Sequence, residues 1–249
     1  LCLGLVGLVL PLRGRLEAPG STAVYDRKGR LLRLSLAADG RYRVASPLSA
    51  YPPDFVEALL LKEDRWFWFH PGVNPLALAK AAWHSTVARD YRAGASTITM
   101  QLARIAGAYD TGSPAGKLRQ AWDALRLERL YTKAQILEAY LSRAPCGGNI
   151  EGFEAASLAY FGRPLASLAL SESLLLASLP QKPWTSLDKA GDPGLLAARD
   201  RLYRAWCRRH PEARAKAGEF SLPIRLAASF PFAAPHLVDS LLARTPRGA

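Results

Sequence analysis

From Pro52 onward, apolar residues recur at intervals of three and four, the period of a helix with one buried face. Pro53-Asp54 ahead of FVEALLLKEDR (55–65) predicts a helix starting at Asp54. Asn74-Pro75 opens a second helix over LALAKAAWHSTVARDY, with Pro in the first turn where its missing N–H is harmless. Ser96 is the expected cap of a third, TITMQLARIAGAY. Ser113-Pro114 starts a longer helix that runs to Tyr131, and Thr132 with Gln135 forms a capping box ahead of ILEAYLSR. Further helices are predicted across 151–161, 171–179 and 193–209, while 211–234 reads as weaker helix plus loop. Upstream of all these, TAVYDRKGRLLRLSL (22–36) alternates apolar and polar residues around Asp26–Gly29, the pattern of a hairpin. The chain begins with the apolar run LCLGLVGLVLPL and then Arg13-Gly14-Arg15. A membrane span needs about 20 apolar residues, so the run is read as the end of a truncated membrane anchor, with a buried strand, a helix or a signal-peptide core as alternatives. The pattern predicts a mainly α protein with a small β element near its N-terminus.

Composition narrows the picture only modestly. With 249 residues, 49% of them hydrophobic and 22% charged, the chain can bury a sizeable core and is not a disordered one. Lys and Arg number 33 against 21 Asp and Glu, a formal charge of +12 that suits an anionic partner: nucleic acid, an anionic membrane, or a phosphorylated substrate. The three cysteines (Cys2, Cys146 and Cys207) and the four histidines (His70, His84, His210 and His236) show no metal-ligand spacing.

The chemistry begins at Lys62-Glu63-Asp64-Arg65-Trp66-Phe67-Trp68-Phe69-His70-Pro71-Gly72, where two carboxylates abut four aromatic rings. Ions avoid apolar surroundings because lost hydration is costly, so the pair is either a solvated helix end or is held there for a reaction. Singly, this stretch, the GASTIT loop and the basic helix carrying Lys117, Arg119, Arg126, Arg129 and Lys133 are ordinary. Order and spacing change that. EDRWFWFHPG (63–72), GASTITMQLAR (94–104), GKLRQ (116–120) and KAQILEAYLSRAPCGG (133–148) together resemble the motif series of glycosyltransferase family 51. This is the peptidoglycan glycosyltransferase domain of class A penicillin-binding proteins, and the wording is closest to the 1C subtype. AASLAYFG (155–162) and SESLLLASLPQKP (171–183) extend the resemblance, which covers roughly 22–209.

The resemblance implies a lysozyme-like, bilobed, mainly α fold. It divides the chain into a truncated transmembrane anchor (1–12), a juxtamembrane linker and β-hairpin (13–50), the glycosyltransferase domain (51–210), and the start of a linker toward a transpeptidase domain (211–249). It implies polymerisation of lipid II by inverting β-1,4 transfer with loss of polyprenyl pyrophosphate. Glu63 is then the general base, with a pKa expected to be raised by the aromatic cluster. Asp64 positions Glu63 or contacts substrate, and His70 and Gly72 shape the loop. Ser96, Thr97, Gln101, Arg104, Lys117 and Gln120 are the expected contacts of the lipid-linked phosphates, Lys117 as a clamp. Arg104 also fits a solvated surface position. The segment 75–92, with Lys80, Trp83, Arg89 and Arg92, fits either an interfacial helix or an ordinary core helix. Lipid II, the growing glycan strand, the membrane and other cell-wall synthesis proteins are the implied partners, without nucleic acid. The implied location is the bacterial inner membrane, with a single anchor and the catalytic domain on the periplasmic side. No cofactor is specified, and a divalent cation, magnesium or manganese, is left open.

Several residues depart from the family's pattern. Gln120 stands where a second carboxylate is usual, and an amide cannot take up a proton or hold a cation comparably. The 1C subtype shares this Gln. Met100 replaces the first Gln of a usual pair, Ser142 replaces the Asn of the usual Tyr-Leu-Asn, and Cys146 sits where an aromatic residue is more usual. Ser186-Leu187-Asp188-Lys189 matches a transpeptidase Ser-x-x-Lys, yet its place inside the transferase region marks it as a coincidence. Two rival functions follow: a lipid II-binding scaffold of low activity, motivated by Gln120, and a lysozyme-like hydrolase, which the pyrophosphate-site residues fit poorly.

Overall fold

The computed structural model describes residues 16–75, 96–108, 111–180, 193–216 and 231–244. The expected anchor, the segment 76–92 and Ser186–Lys189 lie outside them. Among the described residues, no helix is long and apolar enough to cross a membrane. The chain divides into two compact units.

One unit comprises Pro19–Arg65 and Leu141–Ala249. It opens with the expected hairpin, β1 (Ala23–Tyr25) against β2 (Leu31–Leu34), antiparallel. The turn closes because the Asp26 carboxylate accepts from the Lys28 and Arg30 backbone N–H groups at 2.8 and 2.9 Å, the Asx-turn chemistry of that residue. A second sheet, which the hydrophobic pattern did not reveal, orders β3 (Tyr42–Arg43), β5 (Ile150–Glu151) and β4 (Pro145–Gly147), with β3 parallel and β4 antiparallel to β5. Strands of two and three residues are too short to establish a period, so only contacts between distant segments define them. Arg43 locks this sheet: its guanidinium donates to Glu151 at 3.1 Å and to Asp39 at 3.0 Å.

Helix α5 (Phe153–Phe161) follows at once, and it is buried on nearly every side, as a central helix must be. It packs on β3 and β5 and on α6 (Leu170–Leu176). Helices α1 (Pro53–Glu63), α6 and α7 (Pro193–Arg209) pack on one another. Phe55 of α1 meets Phe153 of α5 edge-on at 5.0 Å, both fully buried. Each such ring stabilises the fold by roughly 1.5–3 kcal/mol. Gly152 is required at the sheet-to-helix corner: its φ is +83°, and a Cβ there would lie 2.5 Å from the Ser142 carbonyl oxygen.

The C-terminal stretch expected to be linker belongs to this same unit. Helix α8 (Pro235–Arg244) is present, Asp239 pairs with Arg33 of the hairpin, and the Arg33 guanidinium lies 4.1 Å over the Phe232 ring. The hairpin and residues 231–244 therefore fall in one compact unit with the described part of 141–216.

The other unit comprises Trp66–Tyr140 together with the first residues of the chain. Its described helices are α2 (Ile98–Gly107), α3 (Pro114–Leu130) and most of α4 (Lys133–Arg143), with α2 packed on α3. The predicted capping box forms: the Thr132 N–H donates to Gln135 Oε1 at 2.9 Å, and the Gln135 N–H returns to Thr132 Oγ1 at 3.3 Å. Ser113 caps α3 by accepting from the Gly116 N–H at 3.0 Å.

Candidate functional site

Residues expected to share one function fall into both units, and each group has its own geometry. In the second unit, α2 begins one residue later than expected. Thr97, not Ser96, is the cap: its Oγ1 accepts from the Met100 N–H at 3.1 Å and donates to the Gly72 carbonyl at 2.5 Å. The Thr97 side chain is thus buried and bonded within the fold. It ties α2 to the 63–72 motif through Gly72, whose φ is +91° and whose close approach to α3 leaves no room for a Cβ, 2.8 Å from Glu128 Cγ. His70 shapes the same loop, its Nδ1 accepting from the Gly72 N–H at 3.1 Å.

Relieved of capping, Ser96 joins a different group. Lys117, in the first turn of α3, donates to Ser96 Oγ at 3.2 Å and to Gln120 Oε1 at 3.0 Å. Partial burial, and secondarily the Arg104 guanidinium nearby, hold the Lys117 pKa below its ordinary value. Gln120 is only 1% exposed, and its amide donates to the Met100 carbonyl at 2.8 Å. It therefore supports Lys117 from beneath, its amide oxygen and its amide N–H both bonded within the fold. A carboxylate at this place could not donate to Met100, which gives the Gln a structural reason. Gln101 accepts from the Tyr140 hydroxyl at 3.1 Å. The structure thus brings together Ser96, Lys117 and Gln120, with Arg104 of the last turn of α2 near Lys117.

The four rings of the 63–72 motif do not form one buried cluster. Phe67 is fully buried, whereas Trp66, Trp68 and Phe69 are 55%, 47% and 80% exposed. The 3₁₀ turn Phe67–Phe69 turns one ring inward and its neighbours outward. Phe67 carries the Lys133 ammonium 4.4 Å from its ring centre. That ammonium also pairs with Glu128 at 2.7 Å, and Glu128 accepts from Thr99 Oγ1 at 2.6 Å. This Thr99–Glu128–Lys133–Phe67 network was not legible in the sequence because its members sit in four separate elements. Of the basic helix face, Arg126 pairs with Asp123 at 3.2 Å, and Lys117 is the lysine that reaches Ser96.

In the first unit, Glu63 ends α1 and its side chain is 2% exposed. Asp64 is the C-terminal cap, 7% exposed, its backbone N–H bonded to the Leu60 carbonyl. The Lys62 Nζ lies 3.7 Å from Glu63 Oε1. Lys62 was not singled out in the sequence, since adjacent residues on a helix normally point apart. Cys146 is fully buried, its thiol donating to the Ala144 carbonyl at 3.4 Å, and burial pushes its pKa up, so it is inert packing. Among the described residues, no three His, Cys, Asp or Glu side chains gather as metal ligands.

A family model described as Transglycosylase matches residues 29–204. The chain is 47% identical over 174 residues to penicillin-binding protein 1C of Escherichia coli K12, covering 70% of this chain and 22% of that protein. It is 36% identical over 165 residues to penicillin-binding protein 1A of Aquifex aeolicus VF5, covering 66% and 22% respectively. The crystal structure of penicillin-binding protein 1A from Haemophilus influenzae aligns with a TM-score of 0.46 and 17% identity, over 92% of this chain and 24% of that one. The chain belongs to the transglycosylase family, as a glycosyltransferase domain of the class A penicillin-binding protein kind. It spans about a fifth of the length of the relatives it matches.

Proposed function

We propose that this protein polymerises lipid II into glycan strands at the outer face of the bacterial inner membrane, with a lysozyme-like arrangement of its helices. The 4-hydroxyl of the acceptor sugar attacks the anomeric carbon of the donor. The new C–O bond forms as the bond to the polyprenyl pyrophosphate breaks, with inversion. Glu63 takes the hydroxyl proton, since a sugar hydroxyl is a poor nucleophile without a base. Lys117 neutralises the departing pyrophosphate, Ser96 and Arg104 assist, and the positive end of the α2 dipole favours the same anion. Gln101 lies one turn along that helix, on the donor side. Asp64 fixes the end of α1 that carries the base. No step is routed through a cation. The membrane anchor and recruitment by other cell-wall proteins complete this reading.

The observation that supports it most is the Lys117 ammonium set between Ser96 and Gln120, with Arg104 nearby. A hydrolase of finished glycan has no anionic leaving group and no use for such a group. The buried amide of Gln120 favours a second reading, a scaffold that binds lipid II without turning it over. Polymerisation of labelled lipid II in liposomes separates the two. Glycan made by the wild type and not by Glu63→Gln is the expected result. Lipid II binding by both, with no glycan from either, establishes the scaffold.

A further inference from the structure

Lys62 occupies a position that packing alone does not explain. Its side chain is 12% exposed, yet it carries an ammonium, which is normally left in water. The Nζ donates to the Ser178 carbonyl at 2.9 Å and to the Ala177 carbonyl at 3.4 Å, the two residues that follow α6. The side chain then bends back along its own helix to place Nζ 3.7 Å from Glu63 Oε1. We propose that Lys62 is a positioning residue for the reaction: clamped by the carbonyls at the end of α6, its ammonium fixes the place and charge of the Glu63 carboxylate. This rests on Glu63 being the base.

The physical case has two parts. A carboxylate with a nearly buried side chain is expensive to keep ionised unless a cation stands near it, and a protonated carboxyl cannot take a proton from the acceptor. A lysine held at two carbonyl oxygens also has fewer rotamers open to it than a free one, so the distance to Glu63 is defined rather than averaged. Burial, opposed by Glu63 and reinforced by Arg201 of α7, pushes the Lys62 pKa down to about 8. Arg201 and Glu63 are the charged groups that act on it. The sign follows directly. Below pH 8 the ammonium is present beside Glu63; above it the lysine is neutral and its hold on the carboxylate is lost. Turnover is therefore expected to fall on the alkaline side of about pH 8.

The test is the pH profile of lipid II polymerisation for the wild type, Lys62→Met, Lys62→Arg, Lys117→Arg and Glu63→Gln. Lys62→Met is expected to lower kcat at least 10-fold with KM within about twofold. Lys62→Arg keeps a cation that does not titrate, so its activity should persist and the alkaline fall should disappear. Because the Lys117 pKa is also lowered, Lys117→Arg is the control, and its alkaline fall should remain. A folded Lys62→Met with wild-type kcat and profile overturns the proposal while leaving Glu63 as the base. If Lys62→Met does not fold, an alkaline fall that stays put in Lys62→Arg, or moves in Lys117→Arg instead, overturns it equally. Activity retained by Glu63→Gln refutes the underlying reading of the base, a result no Lys62 variant can mimic.

Discussion

The two compact units carry their functional groups in opposite ways. Glu63 sits at the C-terminal end of a helix with an apolar buried face, its side chain 2% exposed and the Lys62 ammonium 3.7 Å away. Lys117 sits in the first turn of a helix, exposed, and is held by side-chain hydrogen bonds to Ser96 and Gln120. A base gains from a dry setting, where its proton affinity is set by neighbours and not by bulk water. A group that must grip a large lipid-linked anion and then release it gains from access and from donors that can be reached. Rigidity in the first unit therefore comes from its core, and in the second from a small polar scaffold under the lysine.

The sharpest way to break this contrast is Glu63→Gln. Loss of a general base lowers kcat by roughly 10²–10⁴, with lipid II binding kept; a variant that still polymerises would remove the first unit from the chemistry. Next comes Lys117→Met. Loss of a charge-assisted bond of about 1.5–3 kcal/mol predicts a roughly 10- to 100-fold weaker grip on lipid II, measured as binding to liposomes. Unchanged binding would place the anion elsewhere.

Gly152→Ala probes packing in the Glu63 unit. A positive φ at a non-glycine residue, together with a 2.5 Å approach to the Ser142 carbonyl, predicts a loss of roughly 1–3 kcal/mol in denaturant unfolding. Lipid II affinity of the folded fraction should not move. Thr97→Ala has the smallest effect: loss of the cap costs about 1 kcal/mol. A stability change without a change in KM marks Thr97 as scaffold, and the reverse restores it as a substrate contact.

Where sequence and structure agree, the information is local. The hairpin at Asp26–Gly29, the Thr132–Gln135 capping box and helices starting near Pro53, Pro114 and Pro193 each depend on residues within a few positions. The motif order was legible too, and it led to the right family. The disagreements are all matters of partnership. Ser96 and Thr97 are both good caps, and only the Gly72 carbonyl, 25 residues upstream, makes Thr97 the one that caps. Gln120 is a polar side chain in the motif, and only the fold brings its amide to the Met100 carbonyl. Four adjacent aromatics read as one apolar cluster, whereas a tight turn separates them.

The sequence by itself determined the helical periodicity, the turn chemistry, the basic excess and the family, because those depend on residue type and near spacing. Tertiary structure decided which hydroxyl caps, which amide supports Lys117, that Phe232 and Asp239 meet Arg33 of the hairpin, and that the Lys62 ammonium lies near Glu63. Each of these depends on a carbonyl, ring or carboxylate brought in from elsewhere in the chain or by a bend of the side chain, and hydrogen bonding is too short-ranged to be read before the chain has folded.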